Sequence, residues 1–249
     1  MAEYTELVKL PTRGILYKDI PEEFVIKAIS TKEEKMIYGS SNEKALDAVI
    51  RNCIVEPSKI DVNDLISVDK HFLMMKLRVL TYGNSYHVKY KCPECTNYPT
   101  QEFEVDLDDL EVYELSDDYV EPFEFELPTS KKTVGIKLLT GKDLDEIEKK
   151  SKRLLKRFPE IKGDPSYILR MAQYLVSVDG DDKIPDVKKQ EFIEGLHGND
   201  SAYIWHKINS IKVGYDTTIF DTCKNPRCQA DIEFVMPMTV EFFRPRFKD

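Results

Sequence analysis

The sequence predicts an α+β protein built from two related halves, each with a β segment, about three helices and a cysteine-bearing β-hairpin. Two short cysteine pairs each lie in a turn between strand-like runs. A constant shift of 131 residues relates the first cysteines of the two pairs, Cys92 and Cys223, and the helical segment before each pair. Similar Leu-Pro-Thr motifs begin at Leu10 and Leu127. Because the same order of elements occurs twice in one chain, we predict an internal duplication.

The cysteine pairs have the spacing of metal-binding knuckles. Two residues separate Cys92 from Cys95, and four separate Cys223 from Cys228. Two turns that each present two thiolates supply the four ligands of a closed, tetrahedral zinc site. We therefore predict one structural Zn²⁺ per chain, bound by all four residues and shared between the halves. Two separate metal sites and inert free thiols remain as alternatives, whereas a redox dithiol would need a βαβ surrounding that the sequence lacks.

Apolar periodicity predicts three helices in each half. In the first half they lie near residues 31–39, 42–55 and 68–82, and in the second half near residues 141–158, 165–178 and 199–212. An acidic stretch at 113–122 separates the two sets. We place the boundary there and predict one half over residues 1–118 and the other over residues 119–249.

Several helix ends carry capping residues. Thr140 and Asp143 resemble a capping box, with Asp in the place where Glu is preferred. Gly83 and Gly214 suit the C-terminal ends of the third helix in each half. The fifth cysteine, Cys53, shares an apolar helical face, which predicts a core residue rather than a ligand.

Composition and charge exclude several classes of function. The 249 residues have a formal net charge of −9, which counts against nucleic-acid binding because that binding relies on neutralising phosphates. No apolar run approaches the ~20 residues that a membrane-spanning helix needs. The N-terminal residues lack the apolar core of an export signal, so we expect a cytoplasmic protein with reduced thiols.

We expect no enzymatic activity, because the sequence contains no serine elbow, no phosphate-binding glycine loop and no dinucleotide fingerprint. Two segments are candidates for binding a partner protein instead. One is a basic helix face, with the alternative that it is only a solvated surface, and the other is an aromatic tail that could equally pack back on the domain. The candidate residues are Lys149, Lys152, Arg153, Lys156, Phe242 and Phe243.

Four stretches together resemble one protein family. The "LPTRGILY" and "IKAISTKEE" segments, the "CPEC" knuckle and the closing "EFFRP" are similar to the baseplate hub proteins of T4-like contractile-tailed bacteriophages. The four-residue spacing between Cys223 and Cys228 and Thr12 in place of serine depart from the usual pattern. Length and layout are nearest to the members that assemble the hub.

The resemblance implies a non-enzymatic assembly factor that binds phage baseplate hub proteins in the host cytoplasm. A structural hub subunit retained in the virion is the alternative within the family. A zinc-ribbon regulator that binds nucleic acid is the rival from another class, although the acidic charge counts against it.

Overall fold

The computed structural model describes residues 4–38, 43–95, 98–160, 162–237 and 240–243. Within these ranges the protein is α+β, as predicted, with small antiparallel sheets and seven α-helices. The helices are α1 (Thr31–Tyr38), α2 (Glu43–Cys53), α3 (Ser67–Tyr82), α4 (Gly141–Arg157), α5 (Ser166–Tyr174), α6 (Asp186–Glu194) and α7 (Gly198–Ser210). The strands are β1 (Thr5–Lys9), β2 (Glu23–Lys27), β3 (Ile54–Glu56), β4 (Ser85–Tyr90), β5 (Gln101–Asp106), β6 (Val112–Tyr113), β7 (Phe123–Glu126), β8 (Thr133–Ile136), β9 (Leu175–Val178), β10 (Gly214–Tyr215), β11 (Thr218–Thr222) and β12 (Asp231–Val235).

Two three-stranded sheets have the same strand order. One is β1-β2-β3 and the other is β7-β8-β9, with the second strand in the centre of each. The register shifts between Val25 and Ile26 in the first sheet and between Gly135 and Ile136 in the second. These irregularities fall at corresponding places of the central strands.

The two hairpins that carry the cysteines have the same register. Val88 lies opposite Phe103 in the β4–β5 hairpin, and Ile219 lies opposite Phe234 in the β11–β12 hairpin. Both members of the second pair lie 131 residues after those of the first. These matched registers support the proposal that the chain arose by duplication.

The six predicted helices correspond to α1–α5 and α7, whereas α6 was not predicted. Both halves of the capping box at α4 are formed, since Asp143 N donates to Thr140 Oγ1 at 3.2 Å and Thr140 N donates to Asp143 Oδ2 at 2.9 Å. Gly83, with φ of 81°, ends α3 as predicted. The predicted cap at Gly214 is wrong, because α7 ends at Ser210 with Ile211 as its C-cap, and Gly214 begins β10, which pairs with β6.

The larger hydrophobic core draws residues from both predicted halves. Leu73 of α3 and Phe103 of β5 belong to it together with Ile232 and Phe234 of β12. A second core joins β7–β9 with α5 and α7. The second hairpin therefore packs against the first half. The predicted boundary between the two sequence repeats, near residue 118, remains a prediction.

Two buried aspartates anchor the Leu-Pro-Thr motifs. Asp69 of α3 accepts hydrogen bonds from Thr12 N at 3.1 Å and Thr12 Oγ1 at 2.5 Å, and Asp200 of α7 accepts from Thr129 N at 2.7 Å. Both aspartates are fully buried and lie 131 residues apart. Each half thus fixes the turn after its first strand to its last helix in the same way.

Replacing Asp69 should destabilise the fold strongly. The substitution Asp69→Ala leaves the Thr12 amide, the Thr12 hydroxyl and the Tyr17 hydroxyl without their acceptor. A buried donor without an acceptor destabilises the folded state. We therefore expect the free energy of unfolding, measured by chemical denaturation, to fall by about 3–5 kcal/mol. The exposed Asp19→Ala control should change it by less than about 0.5 kcal/mol. A loss below about 1 kcal/mol for Asp69→Ala would contradict the anchoring role.

Candidate metal centre

The four predicted ligands meet at one point. Cys92 and Cys95 follow β4, whereas Cys223 and Cys228 lie between β11 and β12. Their sulfur atoms all lie within 4.8 Å of one another. The structure therefore brings the two predicted knuckles together across the two hairpins, although they are more than a hundred residues apart in sequence.

The distances between sulfur atoms fit a metal and not a disulfide. The Cys95 and Cys223 Sγ atoms are 3.7 Å apart. Tetrahedral zinc with Zn–S bonds of ~2.3 Å places neighbouring sulfurs ~3.8 Å apart. A disulfide bond would bring two sulfurs to ~2.05 Å, and all four residues are free cysteines. The arrangement is compatible with a structural metal held by four thiolates.

The wider second knuckle closes through its own backbone. Cys228 N donates to Asn225 O at 2.9 Å, which folds the four intervening residues into a turn. In the first knuckle, Cys95 N donates to Cys92 O at 3.3 Å. Gln229 adopts a positive φ of 51° directly after the second turn and returns the chain to β12. With this turn, the four-residue spacing still places the thiols of Cys223 and Cys228 at the cluster.

Two amide side chains donate to the sulfur atoms. Gln101 Nε2 lies 3.1 Å from Cys223 Sγ, and Asn225 Nδ2 lies 3.3 Å from Cys95 Sγ. Each bond runs from one hairpin to the other. Burial by itself would raise the pKa of Cys223, but the Asn225 backbone amide and the Gln101 side chain favour the thiolate, and the pKa is lowered to about 7. Such donors hold the ligands in place and stabilise their negative charge.

Sequence reasoning missed Gln101, which precedes the outward-facing Glu102 in β5. Gln101 is only 6% exposed, because it lies on the inner face of the hairpin. Its Oε1 atom also accepts from Lys224 N at 2.6 Å, so one side chain orients the second knuckle twice. The alternation of buried and exposed residues in β5 is the one signal that could have identified it.

Replacing Gln101 should weaken metal binding without removing a ligand. In Gln101→Leu the donor to Cys223 is lost, and loss of such a partner typically lowers metal affinity by about 10–100-fold. Competition with a chromophoric chelator measures this affinity. The control Glu104→Leu changes the exposed face of the same strand and should leave the affinity unaltered. Equal affinities for both variants would contradict a supporting role for Gln101.

The basic candidates lie on α4, away from the cysteine cluster. The four residues Lys149, Lys152, Arg153 and Lys156 are exposed to solvent. Lys149 Nζ lies 3.8 Å from Asp145 Oδ2, and Lys152 is paired with Glu148 in the same helix. Acidic neighbours one turn away thus offset part of this charge.

Phe242 and Phe243 pack back on the domain, which is one of the two arrangements that the sequence left open. They are 0% and 1% exposed, within the larger core. Phe242 packs edge-to-face on Tyr86 of β4 with ring centroids 4.9 Å apart. Its carbonyl oxygen accepts a hydrogen bond of 2.8 Å from Arg78 Nε of α3. The aromatic pair therefore closes the core and does not form a free docking surface.

A cluster of four cysteines, three of them buried, joins two hairpins of an α+β scaffold in an arrangement compatible with a structural metal. A family model described as "T4 bacteriophage base plate protein" matches residues 1–244. The chain therefore belongs to the T4 bacteriophage base plate protein family. No curated protein and no solved structure matched the chain. Among the helices of the described residues, none is long and apolar enough to cross a membrane.

Proposed function

We propose that this protein is a non-enzymatic assembly factor for the hub of a phage tail baseplate. The match to the base plate family over residues 1–244 is the observation that carries the proposal. The "LPTRG" and "EFFRP" motifs support the family, and the length and layout of the chain favour the assembly role over that of a retained subunit. Its place of action is the host cytoplasm, where tails are built.

The metal that we propose is one structural Zn²⁺ per chain. A tetrahedral set of four thiolates suits zinc or iron, and zinc is the usual choice for two knuckles. Four protein ligands leave no position for a water or a substrate, so the metal would hold the hairpins together. A rigid scaffold of this kind suits a protein that binds subunits.

The proposed partners are the protein subunits of the baseplate hub, and no nucleic acid is required. The net charge of −9 disfavours contact with phosphate backbones. A binding assay with each hub subunit of the same phage, purified singly, tests the proposal directly. We expect a complex with at least one subunit, and no salt-sensitive retention of DNA or RNA. Retention of nucleic acid with no subunit bound would contradict it.

A second assay separates an assembly factor from a structural subunit. Without the protein, tail building should stop at the hub while heads and fibres form normally. The protein should be absent from purified mature particles if it acts only during assembly. Its presence there at a fixed ratio to the other hub proteins would instead identify a retained subunit.

Charge reversal on α4 tests the basic candidates. The double substitution Lys152→Glu with Arg153→Glu changes two exposed side chains. The melting temperature should therefore change by less than about 2 °C. If α4 binds an acidic hub surface, affinity should fall and its salt dependence should weaken. The control Lys183→Glu with Lys188→Glu makes the same charge change outside α4. Unchanged affinity in the α4 variant would show that this helix face is only solvated.

A further inference from the structure

The outer face of the β11–β12 hairpin carries two strongly exposed apolar side chains. Phe220 is 73% exposed and Val235 is 69% exposed. Phe220 lies opposite Glu233 and Val235 lies opposite Thr218, so the two apolar residues are diagonal neighbours on one face. Diagonal neighbours in an antiparallel pair lie within reach of an aromatic side chain. The two residues therefore form one patch.

The first hairpin provides an internal comparison for this patch. With the shared register, Lys89 corresponds to Phe220 and Glu104 corresponds to Val235. On the outer face of that hairpin, Lys89 lies opposite Glu102 and Glu104 lies opposite His87. The same local fold thus forms with a charged outer face. Phe220 and Val235 are not needed to build such a hairpin.

The core does not account for the apolar pair either. The two hairpins pack through their inner faces, where the Tyr90 and Phe234 rings stack with centroids 4.4 Å apart. Ile232 and Phe234 of β12 are 3% and 7% exposed. Since the inner faces are turned towards each other, the outer face of β11–β12 points away from the core. The packing of the two hairpins therefore does not require apolar side chains at these two positions.

The acidic residues around the patch favour a partner protein with basic side chains. Exposed Glu233 lies opposite Phe220, and exposed Asp231 lies opposite Thr222 on the same face. Pairing with a second copy would bring these acidic groups against their own equivalents. A partner with Lys or Arg beside an apolar contact would match both parts of the surface, and exposed aromatics are frequent anchors of such interfaces.

We propose that the outer face of the β11–β12 hairpin is a docking surface for a protein that presents an apolar contact flanked by Lys or Arg. We call it the Phe220 face, and it consists of Thr218, Phe220, Thr222, Asp231, Glu233 and Val235. The proposal rests on the proposed function, since it names the surface by which the protein binds a hub subunit.

The test copies the first hairpin onto the second. The variant Phe220→Lys/Val235→Glu places on the second hairpin the residues that the first holds at the same positions. We expect the wild-type melting temperature and metal content, with the affinity for the hub subunit reduced at least about tenfold. The control Tyr4→Lys/Val187→Glu makes the same charge change at side chains that are 76% and 64% exposed, and should bind fully.

A second variant tests the acidic rim and does not depend on the first one folding. Asp231→Asn/Glu233→Gln keeps the apolar pair but removes two charges. The association rate with the hub subunit should fall, and it should respond less to ionic strength. Both assays use the full-length protein and hub subunits purified singly.

Three results would overturn the proposal in different ways. Equal affinity of the wild type, Phe220→Lys/Val235→Glu and Asp231→Asn/Glu233→Gln for a bound hub subunit would remove the Phe220 face and leave the proposed function intact. A wild type that binds no hub subunit would remove both. A wild-type dimer in sedimentation that the Phe220→Lys/Val235→Glu variant loses would assign the face to a second copy of the chain.

Discussion

The substitution Cys92→Ser should release the metal and destabilise both hairpins. Cys92 and Cys95 come from the first hairpin and Cys223 and Cys228 from the second, so the loss of one ligand opens a link between them. We expect bound metal to fall to near zero and the free energy of unfolding to fall by about 4 kcal/mol, which lowers the melting temperature by about 8–16 °C.

Hydrogen exchange shows where this stability is lost. In Cys92→Ser, protection should fall in β11–β12 as much as in β4–β5, because the hairpins share both the cluster and a core. The control Cys53→Ala removes a buried thiol outside the cluster and should retain the metal. Loss of protection confined to residues 1–118 would contradict a shared site and favour two separate ones.

The substitution Arg78→Met should release Phe242 and Phe243 from the core. The guanidinium of Arg78 is 2% exposed and donates to the carbonyl oxygens of Phe242, Gly83 and Ser85 at 2.8, 2.6 and 3.0 Å. Burial lowers its pKa from the usual arginine value, yet the group keeps its charge because arginine is not deprotonated in proteins. Methionine fills a similar volume but leaves all three acceptors without a donor.

We expect Arg78→Met to lower the free energy of unfolding by about 2–4 kcal/mol and the melting temperature by about 4–16 °C. Amide exchange at Phe242 and Phe243 should accelerate more than in the rest of the larger core. The exposed Arg170→Met should change stability by less than about 0.5 kcal/mol. If Arg78→Met leaves exchange at Phe242 unchanged, the arginine does not hold the tail.

The cluster of four cysteines was predictable because its sequence signal is local. Two cysteines in a turn between strands specify a knuckle whatever surrounds it, and two knuckles need each other to complete a closed site. Amphipathic spacing predicted α1–α5 and α7 for a similar reason, since a helix with one apolar face must bury it. Helix α6 was not predicted because its short segment, from Asp186 to Glu194, has little apolar periodicity.

The errors arose where long-range contacts decide the outcome. The sequence left the packing of Phe242 and Phe243 open, because nothing near them in sequence shows that Arg78 of α3 binds the Phe242 carbonyl oxygen. Gln101 was missed because its role depends on how one hairpin packs against the other. The family-like "LPTRG" motif also has a structural task, since Thr12 is bound by Asp69. Such pairings are set by tertiary structure.

Metal analysis of protein purified without added metal tests whether the four cysteines hold a zinc ion. We expect about one zinc per chain, with Cys92, Cys95, Cys223 and Cys228 protected from thiol reagents until the metal is removed. Less than about 0.3 equivalents of zinc, with all four thiols freely reactive, would contradict a zinc-stapled scaffold. One equivalent of iron in place of zinc would keep the four-thiolate site and contradict the proposed identity of the metal.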